Sequence, residues 1–369
     1  MLLAVLFVLC LTQKTFASTE SAKSFCVMNS VTGEIVAEKN SDTRLPMAST
    51  TKIITLMVVL ENARPEDVVT VSKNAVLEEG SSAYLKPDAK ITVRDLCYGL
   101  MLNSGNDAAV ALAEHISGST DAFAILMNDK VREIGAKNTN LKNPNGLHDE
   151  KHYTTASDMA KLTRYALKND KFREIVSARS YTSSMLMPDG KTENVEYINH
   201  NRLLVELDGC IGVKTGFTKT AGRCLVSAVN RNGAEYIIVT LNDSDDWNTH
   251  KELYSEAFKT NRERKIVRKG DVIKHAVFGK EECALVAKED FSVFVNKNGN
   301  QFEIVKSIPQ TVDFALNKGE KTGYIEIRAN GETVGVIDVV AEHDFNPQGE
   351  AKVKNCFMFT FINILRNFI

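Results

Sequence analysis

The 369-residue chain lacks any apolar run long enough to cross a bilayer as a helix, which takes about 20 residues. It has no long basic run either, and its formal net charge of −2 argues against nucleic acid as a partner. Internal repeats and low-complexity tracts are also absent. Apolar residues make up 43% of the chain and charged residues 25%, which is typical of a globular protein of one large or two smaller domains.

Cysteine is sparse, with seven residues scattered along the chain. A chain of this size can build a core without cross-links, so buried free thiols are the first interpretation. Cys210 and Cys224 fall on strands that we predict to be neighbours, which leaves one disulfide between them open.

The N-terminal residues differ from the rest in composition. Residues 2–11 are an apolar run, and Thr15 and Ala17 give a small-x-small pattern after it, so residues 1–17 are interpreted as a secretory signal peptide. The usual positive residues before the run are missing, which leaves room for a true start upstream. Cys10 follows the bulky Leu9, which disfavours a lipid anchor. We expect an exported protein, with no structural cofactor or metal implied.

Helical and strand patterns alternate over residues 18–262. Residues 50–63 are apolar on nearly every side, which predicts a buried helix. Turn residues and hydrophobic periodicity predict a hairpin at 25–38, helices at 92–102, 106–117, 157–167 and 247–259, and a strand meander at 209–217, 223–230 and 235–241. Helices packed on an antiparallel sheet make a layered α/β domain.

The rest of the chain has a different character. Residues 263–346 carry short strand patterns separated by Gly and Asn turns, which predicts a small all-β domain, interpreted as a β-sandwich, without a catalytic grouping. Residues 347–369 are a linker and tail in which Phe357, Phe361 and Phe368 recur at helical spacing among polar residues. The tail is too short to span a bilayer, and its pattern favours an amphipathic helix lying on a membrane surface over one packed on the β domain.

Three short motifs carry the candidate chemistry. The first contains Ser49 and Lys52, at the predicted start of the buried helix. Residues three apart share a helix face, so the Lys52 amine can lie beside the Ser49 hydroxyl. A serine needs a base to become a nucleophile, and a desolvated lysine has the lowered pKa for that role. Ser-x-x-Lys alone is a weak signal.

The second motif is Ser104-Gly-Asn106, at the break between two predicted helices, and the third is Lys214-Thr215-Gly216, followed by Phe217 and Thr218 on a predicted strand. Ser104 offers a hydroxyl for proton transfer, and Asn106 an amide to hold a lysine and a substrate. The third motif offers a positive charge and a hydroxyl, and its glycine lets a substrate backbone approach. Alone, the second motif reads as a helix cap and the third as a turn.

Together the motifs are a strong signal, because they occur in the order helix start, inter-helix loop, sheet strand. This is the Ser-x-x-Lys, Ser-x-Asn, Lys-Thr-Gly set of penicillin-recognising serine enzymes. With the wider stretches 45–52, 101–109, 143–147 and 209–218, the chain resembles the low-molecular-mass penicillin-binding proteins of the D-alanyl-D-alanine carboxypeptidase type.

The resemblance implies a β-lactamase/transpeptidase-like catalytic domain over 18–262, followed by the small β domain and the amphipathic tail. It implies that Ser49 attacks the carbonyl of the penultimate D-alanine in a peptidoglycan stem peptide, that Lys52 accepts its proton, and that Ser104 returns a proton to the departing D-alanine. Backbone N–H groups of Ser49 and Phe217 would stabilise the oxyanion. Penicillin and other β-lactams would acylate the same serine.

The resemblance further implies that Asn106 orients Lys52 and the substrate amide, and that Lys214 and Thr215 hold the terminal carboxylate. The chain departs from the family at this carboxylate, for which members often supply an arginine. The segment 243–250 contains none, and the stretch before the third motif offers His200 and Arg202 instead.

Three alternatives remain on the residues alone. A class A β-lactamase shares the motifs but adds a glutamate that activates the deacylating water, whereas residues 138–143 contain no acid. A non-catalytic penicillin-binding sensor usually follows a transmembrane helix and a signalling region, neither of which is apparent. His148 and His152 are four apart, as in a zinc helix, but Pro144 and Gly146 place them in a loop.

Overall fold

The computed structural model describes residues 17–278, 281–296, 301–309, 311–312 and 314–346. They form two compact units, the first made of 17–262 with 294–296 and the second of 263–293 with the described residues from 301 onward. Apart from Ala17, the predicted signal peptide lies outside the described residues, as does the predicted tail over 347–369. Among the helices of the described residues, none is long and apolar enough to cross a membrane.

The first unit is built on a five-stranded antiparallel sheet with the strand order β2-β1-β9-β8-β7. Its strands are β1 Ala22–Asn29, β2 Ile35–Lys39, β7 Cys210–Thr218, β8 Gly222–Arg231 and β9 Ala234–Asp243. Successive side chains point to opposite faces of a strand. Accordingly Cys26 and Met28 belong to the main core on one face, whereas Phe25 and Val27 belong to a second core on the other.

Nine helices of the first unit surround the sheet within its described residues. They are α1 Lys52–Asn62, α2 Lys73–Val76, α3 Val93–Met101, α4 Asn106–Ser117, α5 Thr120–Ile134, α6 Ala156–Ala166, α7 Asp170–Ser177, α8 Leu203–Glu206 and α9 Asp246–Lys259. Helix α1 packs against α3, α4, α5 and α6, which explains why its sequence is apolar on nearly every side. Helix α9 packs on β1, β8 and β9 through the second core. The predicted helices and meander are confirmed.

A second, four-stranded sheet and four of the helices, α2, α5, α7 and α8, were not among the sequence predictions. The sheet contains β3 Val68–Thr70, β4 Lys90–Thr92, β5 Ser180–Leu186 and β6 Thr192–Ile198. In β6 only Tyr197 is buried, so the sequence carries too little apolar alternation to reveal the strand. The two longer unpredicted helices, α5 and α7, are polar over much of their surface, because each buries only a few side chains.

The second unit is all-β within the described residues, as the sequence predicted. A five-stranded antiparallel sheet has the order β11-β12-β16-β15-β14, and β10 pairs with β13. The strands are β10 Arg262–Val267, β11 Val272–Phe278, β12 Glu281–Ala287, β13 Phe291–Val295, β14 Phe302–Ser307, β15 Lys321–Ala329 and β16 Glu332–Ala341. Its core includes the fully buried Leu285, Ile325, Ile327 and Val339.

The five cysteines within the described residues are free thiols, so the disulfide left open between Cys210 and Cys224 is not formed. The two residues do lie on paired strands, as expected. Cys210 faces Val229, however, whereas Cys224 faces Gly216, six residues farther along β7. Six residues of strand span roughly 20 Å, far beyond the reach of a disulfide.

Candidate active site

Ser49 lies in a 3-10 turn, Ala48–Thr51, directly before α1. Ala48 has the left-handed backbone angle φ +48°, which is uncommon for a residue with a side chain and marks a local strain. The loop that carries Gly146 packs onto this turn, and a Cβ at Gly146 would lie 2.0 Å from the Ala48 carbonyl oxygen. The turn is therefore held in its strained form by a neighbour that must be glycine.

His152 also contacts the same turn, through a hydrogen bond to Thr51. Its Nδ1 accepts the Lys142 backbone N–H at 3.0 Å, so the proton of the neutral ring is on Nε2, which donates to Thr51 Oγ1 at 2.8 Å. Thr51 Oγ1 in turn donates to the Ala48 carbonyl at 2.8 Å. Burial lowers the pKa of His152 to about 4, so the ring is neutral at pH 7. Both ring nitrogens are thus occupied by protein groups, which fits a structural histidine better than a zinc ligand.

Lys52 is fully buried at the start of α1, and its amine contacts three oxygen atoms. Nζ lies 3.0 Å from Ser49 Oγ, 2.7 Å from Asn106 Oδ1 and 2.7 Å from the Asn145 carbonyl oxygen. Ser49 and Lys52 are thus adjacent as predicted. The Asn145 carbonyl was not predicted, because its contact with Lys52 joins residues 93 positions apart.

Burial lowers the pKa of Lys52 well below that of a free lysine, and the nearby Lys214 charge lowers it further. Lys214 is also buried, and burial lowers its pKa to about 7. Asp107 and Glu78 act in the opposite direction on the pKa of Lys52, since negative charges favour the ammonium form. The site therefore holds two desolvated lysines, either of which can lose its proton more easily than an exposed lysine.

The second motif occupies the break between α3 and α4. Ser104 has φ +58° and lines the cavity described below, and its hydroxyl has no hydrogen-bond partner within the described part of the chain. Asn106 begins α4 and is buried. Its Nδ2 donates to the Glu79 carbonyl at 2.5 Å, which fixes Oδ1 toward Lys52. The structure therefore brings Asn106 to Lys52, as predicted, and its amide group is held by protein groups.

The third motif runs along β7, the edge strand beside the Ser49 turn. A Cβ at Gly216 would lie 3.1 Å from the backbone nitrogen of Ser49, so glycine allows the strand to approach the Ser49 turn closely. Lys214 Nζ donates to the Thr215 carbonyl at 3.0 Å. Phe217 is 66% exposed, and Thr218 Oγ1 accepts the Ala221 N–H within the β7–β8 turn.

A cavity of about 270 Å³ opens beside Ser49. It is lined by Ser49, Ser81, Ser104, His200, Thr215, Gly216, Phe217, Arg223, Asp246 and Trp247. Three of the predicted substrate-binding residues, Asn106, Lys214 and Thr218, do not line it, and neither does Arg202, which the sequence offered for the carboxylate. Arg202 lies instead over the Trp247 ring, 5.3 Å from its centroid, and pairs with Glu206 at 2.8 Å.

Arg223 is the cavity cation that the sequence analysis missed. The β7–β8 register sets Arg223 opposite Phe217, the residue directly after the Lys214-Thr215-Gly216 motif. Asp246 Oδ1 accepts from Arg223 Nη2 at 2.7 Å, and the guanidinium lies 5.6 Å from the Trp247 ring centroid. Both partners come from the segment 243–250, which contains no arginine itself. The position of Arg223 could have been predicted from strand pairing. When Thr218 pairs with Gly222 across the turn, the next residue of β8, Arg223, lies opposite Phe217.

Comparison with known proteins agrees with this geometry. A family model described as D-alanyl-D-alanine carboxypeptidase matches residues 12–245, and one described as the C-terminal domain of penicillin-binding protein 5 matches residues 262–346. The D-alanyl-D-alanine carboxypeptidase DacF of Bacillus subtilis is 30% identical over 354 residues, which cover 91% of this chain and 89% of the relative. DacC of Escherichia coli is 30% identical over 347 residues, covering 87% and 84%.

Solved structures give the same comparison in three dimensions. The crystal structure of the Streptomyces K15 DD-transpeptidase matches with a TM-score of 0.62 at 35% identity, covering 65% of this chain and 97% of that one. The D-alanyl-D-alanine carboxypeptidase DacD of Francisella tularensis matches with a TM-score of 0.63 at 27% identity, covering 89% and 94%.

Proposed function

Since the chain belongs to the D-alanyl-D-alanine carboxypeptidase family and is a serine D-Ala-D-Ala carboxypeptidase, we propose that Ser49 is its nucleophile and Lys52 the base that activates it. The observation that carries this proposal is the position of the buried Lys52 Nζ, 3.0 Å from Ser49 Oγ. A general base must lie within hydrogen-bond reach of the proton that it removes.

The other contacts of Lys52 support the same assignment. Asn106 Oδ1 and the Asn145 carbonyl can only accept hydrogen bonds, so each takes one proton of the amine. A neutral amine has two protons and one lone pair. With both protons given to these carbonyls, the lone pair is left for the Ser49 hydroxyl, which can then donate its proton to Nζ.

The remaining steps of the proposed reaction are acylation of Ser49, release of D-alanine and hydrolysis of the acyl-enzyme. The Ser49 oxygen bonds to the carbonyl carbon of the penultimate D-alanine, and the N–H groups of Ser49 and Phe217 stabilise the negative oxygen, each contributing roughly 3–4 kcal/mol in comparable sites. Ser104, whose hydroxyl faces the cavity, passes a proton from Lys52 to the departing D-alanine as its C–N bond breaks. Water then hydrolyses the acyl-enzyme and restores Ser49.

The terminal carboxylate of the substrate is held at the β7 end of the cavity. Thr215 lines the cavity, and the neighbouring Lys214, which is buried, supplies positive charge. We add Arg223 and His200 to the contacts implied by the resemblance, because both line the same cavity. Asp246 holds Arg223 by one oxygen, and this pairing fixes the guanidinium at the cavity wall.

Penicillin is proposed to acylate Ser49 and to leave slowly. No acidic side chain other than Asp246 lines the cavity among the described residues, and Asp246 is paired with Arg223. A bound penicilloyl group therefore has no free carboxylate beside it to activate water, which favours the peptidase over a β-lactamase.

The place of action is also proposed. The apolar run at 2–11 followed by Ala17 supports export, and the aromatic periodicity of the tail over 347–369 supports attachment to the outer face of the cell membrane. Peptidoglycan stem peptides ending in D-Ala-D-Ala would be met there.

The experiment that tests the nucleophile is mass spectrometry of the purified protein after brief exposure to benzylpenicillin. We expect one stable penicilloyl adduct, lost in Ser49→Ala and retained in Ser72→Ala, a serine that caps α2. Release of D-alanine from a Lys-D-Ala-D-Ala peptide should disappear with the adduct. An adduct that persists in Ser49→Ala would overturn the assignment, and rapid penicillin turnover without an adduct would favour a β-lactamase.

A further inference from the structure

Glu78 is a carboxylate outside the catalytic cavity that is connected to the proposed base through one residue. Its Oε1 accepts from Asn145 Nδ2 at 2.7 Å, and the Asn145 carbonyl accepts from Lys52 Nζ at 2.7 Å. Glu78 does not line the cavity, so it has no direct access to a substrate. Any effect on the reaction must act through Asn145 or through charge.

The orientation of Asn145 depends on this carboxylate. Asn145 Oδ1 accepts the Leu147 N–H at 3.0 Å, so Nδ2 must face an acceptor, and a carboxylate provides one. Asn145 is only 2% exposed, which means that loss of Glu78 would leave a buried amide donor without its partner. Thr55 Oγ1 donates to the preceding Pro144 carbonyl at 2.5 Å. Thr55 and Glu78 thus hold the loop on either side of the carbonyl that Lys52 uses.

The charges around Lys52 come from four elements. Lys214 on β7 disfavours the ammonium form, Asp107 on α4 and Glu78 after α2 favour it, and His152 from the loop after Asn145 is neutral at pH 7 because burial lowers its pKa to about 4. Asp107 also accepts the backbone N–H groups of Ala83, Leu85 and Ala108, so its removal would disturb the local fold.

Glu78 differs from Asp107 in this respect. It is half-buried, and its hydrogen bond within the described residues goes to a side chain, Asn145. Its charge can therefore be removed without removing a backbone anchor. Gln at the same position keeps an oxygen that can accept from Asn145, which separates the effect of the charge from the effect of the hydrogen bond.

We propose that Glu78 is a positioning residue for Lys52, because it holds the Asn145 carbonyl against the amine and places a negative charge close to that amine. The inference rests on the proposed role of Lys52 as the base that activates Ser49. The negative charge favours the protonated amine, so removal of the charge makes Lys52 lose its proton at a lower pH. The enzyme then acylates at more acidic pH than the parent protein does.

The test is the pH dependence of the second-order rate constant for acylation of the full chain by a fluorescent penicillin, measured in Glu78→Gln. We expect the acidic midpoint to fall by roughly half a pH unit to one unit. The alkaline midpoint should stay in place, because the lowered pKa of Lys214 is caused by its burial and not by Glu78. A merely structural role would lower the rate by the same factor at every pH and leave both midpoints unchanged.

Two further variants make the result decisive. Glu150→Gln removes the same charge from an exposed residue of the neighbouring loop that has no hydrogen bond or ion pair among the described residues, and its profile should match the parent profile. Glu78→Leu removes charge and hydrogen bond together, and should move the acidic midpoint as Gln does while also lowering the maximal rate about tenfold.

The outcomes separate this inference from the proposed function. If Glu78→Gln unfolds thermally like the parent protein and its acidic midpoint is not shifted, the role of Glu78 is overturned and the proposed function stands. An equal shift in Glu150→Gln also overturns it, since the effect would then be one of net charge. If Lys52→Met still acylates at the parent rate, Lys52 is not the base, and both proposals fail together.

Discussion

The two buried lysines of the site, Lys52 and Lys214, have different proposed roles. In the proposed mechanism Lys52 uses a free lone pair, whereas Lys214 uses its positive charge to attract a carboxylate. Burial lowers the pKa of both, and for Lys214 it lowers it to about 7. The two proposed roles require Lys52 to be neutral while Lys214 is charged.

Substrate affinity should therefore weaken at alkaline pH. As the pH rises through about 7, Lys214 loses its proton and its attraction for the terminal carboxylate. We expect KM for a Lys-D-Ala-D-Ala peptide to rise roughly tenfold between pH 6.5 and 8.5 with little change in kcat, because bound carboxylate keeps Lys214 protonated. In Lys214→Gln, KM should be high and independent of pH. Steady-state kinetics between pH 6.5 and 8.5 test this prediction. A rise of KM with pH that persists in Lys214→Gln would contradict the role of Lys214 in binding the carboxylate.

At the level of elements, the turn before α1 is held by a neighbouring loop as well as by its own hydrogen bond from Thr51 Oγ1 to the Ala48 carbonyl. Ala48 is strained, and the loop containing Gly146 packs against its carbonyl. Gly146 has φ +91°, and its position leaves no room for a side chain. The nucleophile is thus positioned by a contact between segments about 100 residues apart in the sequence.

Gly146→Ala should consequently damage catalysis more than an ordinary glycine substitution does. The added Cβ would lie 2.0 Å from the Ala48 carbonyl oxygen, so the turn or the loop must move. We expect penicillin acylation to slow by about a hundredfold, since displacements of an ångström have that effect on reacting groups. Gly118→Ala is the matched control, with φ +76° and no atom within 4 Å of the added Cβ. It should lose about 1 kcal/mol of stability and acylate normally.

The packing of α9 on the sheet contains a titratable group. His250 is fully buried, with Nδ1 2.7 Å from Ser227 Oγ and Nε2 3.1 Å from Thr240 Oγ1. Burial lowers its pKa to about 3. The unfolded chain binds a proton on this histidine near pH 6.5, whereas the folded chain does not until about pH 3, so the unfolded state holds more protons between these values.

The free energy of unfolding should therefore fall as the pH is lowered from 6.5. Each such histidine removes up to about 1.4 kcal/mol per pH unit, and His152, with its pKa of about 4, adds to the effect above pH 4. Urea unfolding at pH 7 and pH 5 measures this loss. We expect His250→Gln to be less stable at pH 7 but to show a smaller loss on acidification, while the exposed His115→Gln should behave as the parent protein. An unchanged loss in His250→Gln would contradict the explanation.

At the scale of the whole molecule, the chain combines a catalytic unit with a separate all-β unit that has its own core. The β unit carries none of the three motifs. Its C-terminal neighbour, the tail over 347–369, is the segment proposed to attach the enzyme to the membrane.

Removal of the tail should abolish membrane binding without affecting acylation. We expect the chain beginning at residue 18 to co-sediment with phosphatidylglycerol vesicles through its apolar aromatic face, and the same chain ending at residue 346 to remain in the supernatant. Replacement of Phe361 and Phe368 by Ser in the longer chain should have the same result as truncation. Both proteins should form the penicilloyl adduct equally. Co-sedimentation of the shorter chain would contradict the assignment of the tail.

The amino-acid sequence was enough to predict the α/β class of the first unit, the all-β character of the second and the three motifs on which the proposed chemistry rests. These features are local, because a helix face repeats every three to four residues and a motif is read within one element. Ser49 and Lys52 are neighbours for that reason. The strands β5 and β6 were missed because they alternate too weakly in polarity.

Only the tertiary structure decided how the motifs are completed. The Asn145 carbonyl reaches Lys52 across 93 positions, and Glu78 reaches Asn145 across 67. The register of β7 and β8 places Arg223 at the cavity. Arg202, which the sequence offered as the carboxylate ligand, contacts Glu206 and Trp247 instead. Such contacts depend on where whole elements pack against each other, and a single sequence carries no local pattern that records this packing.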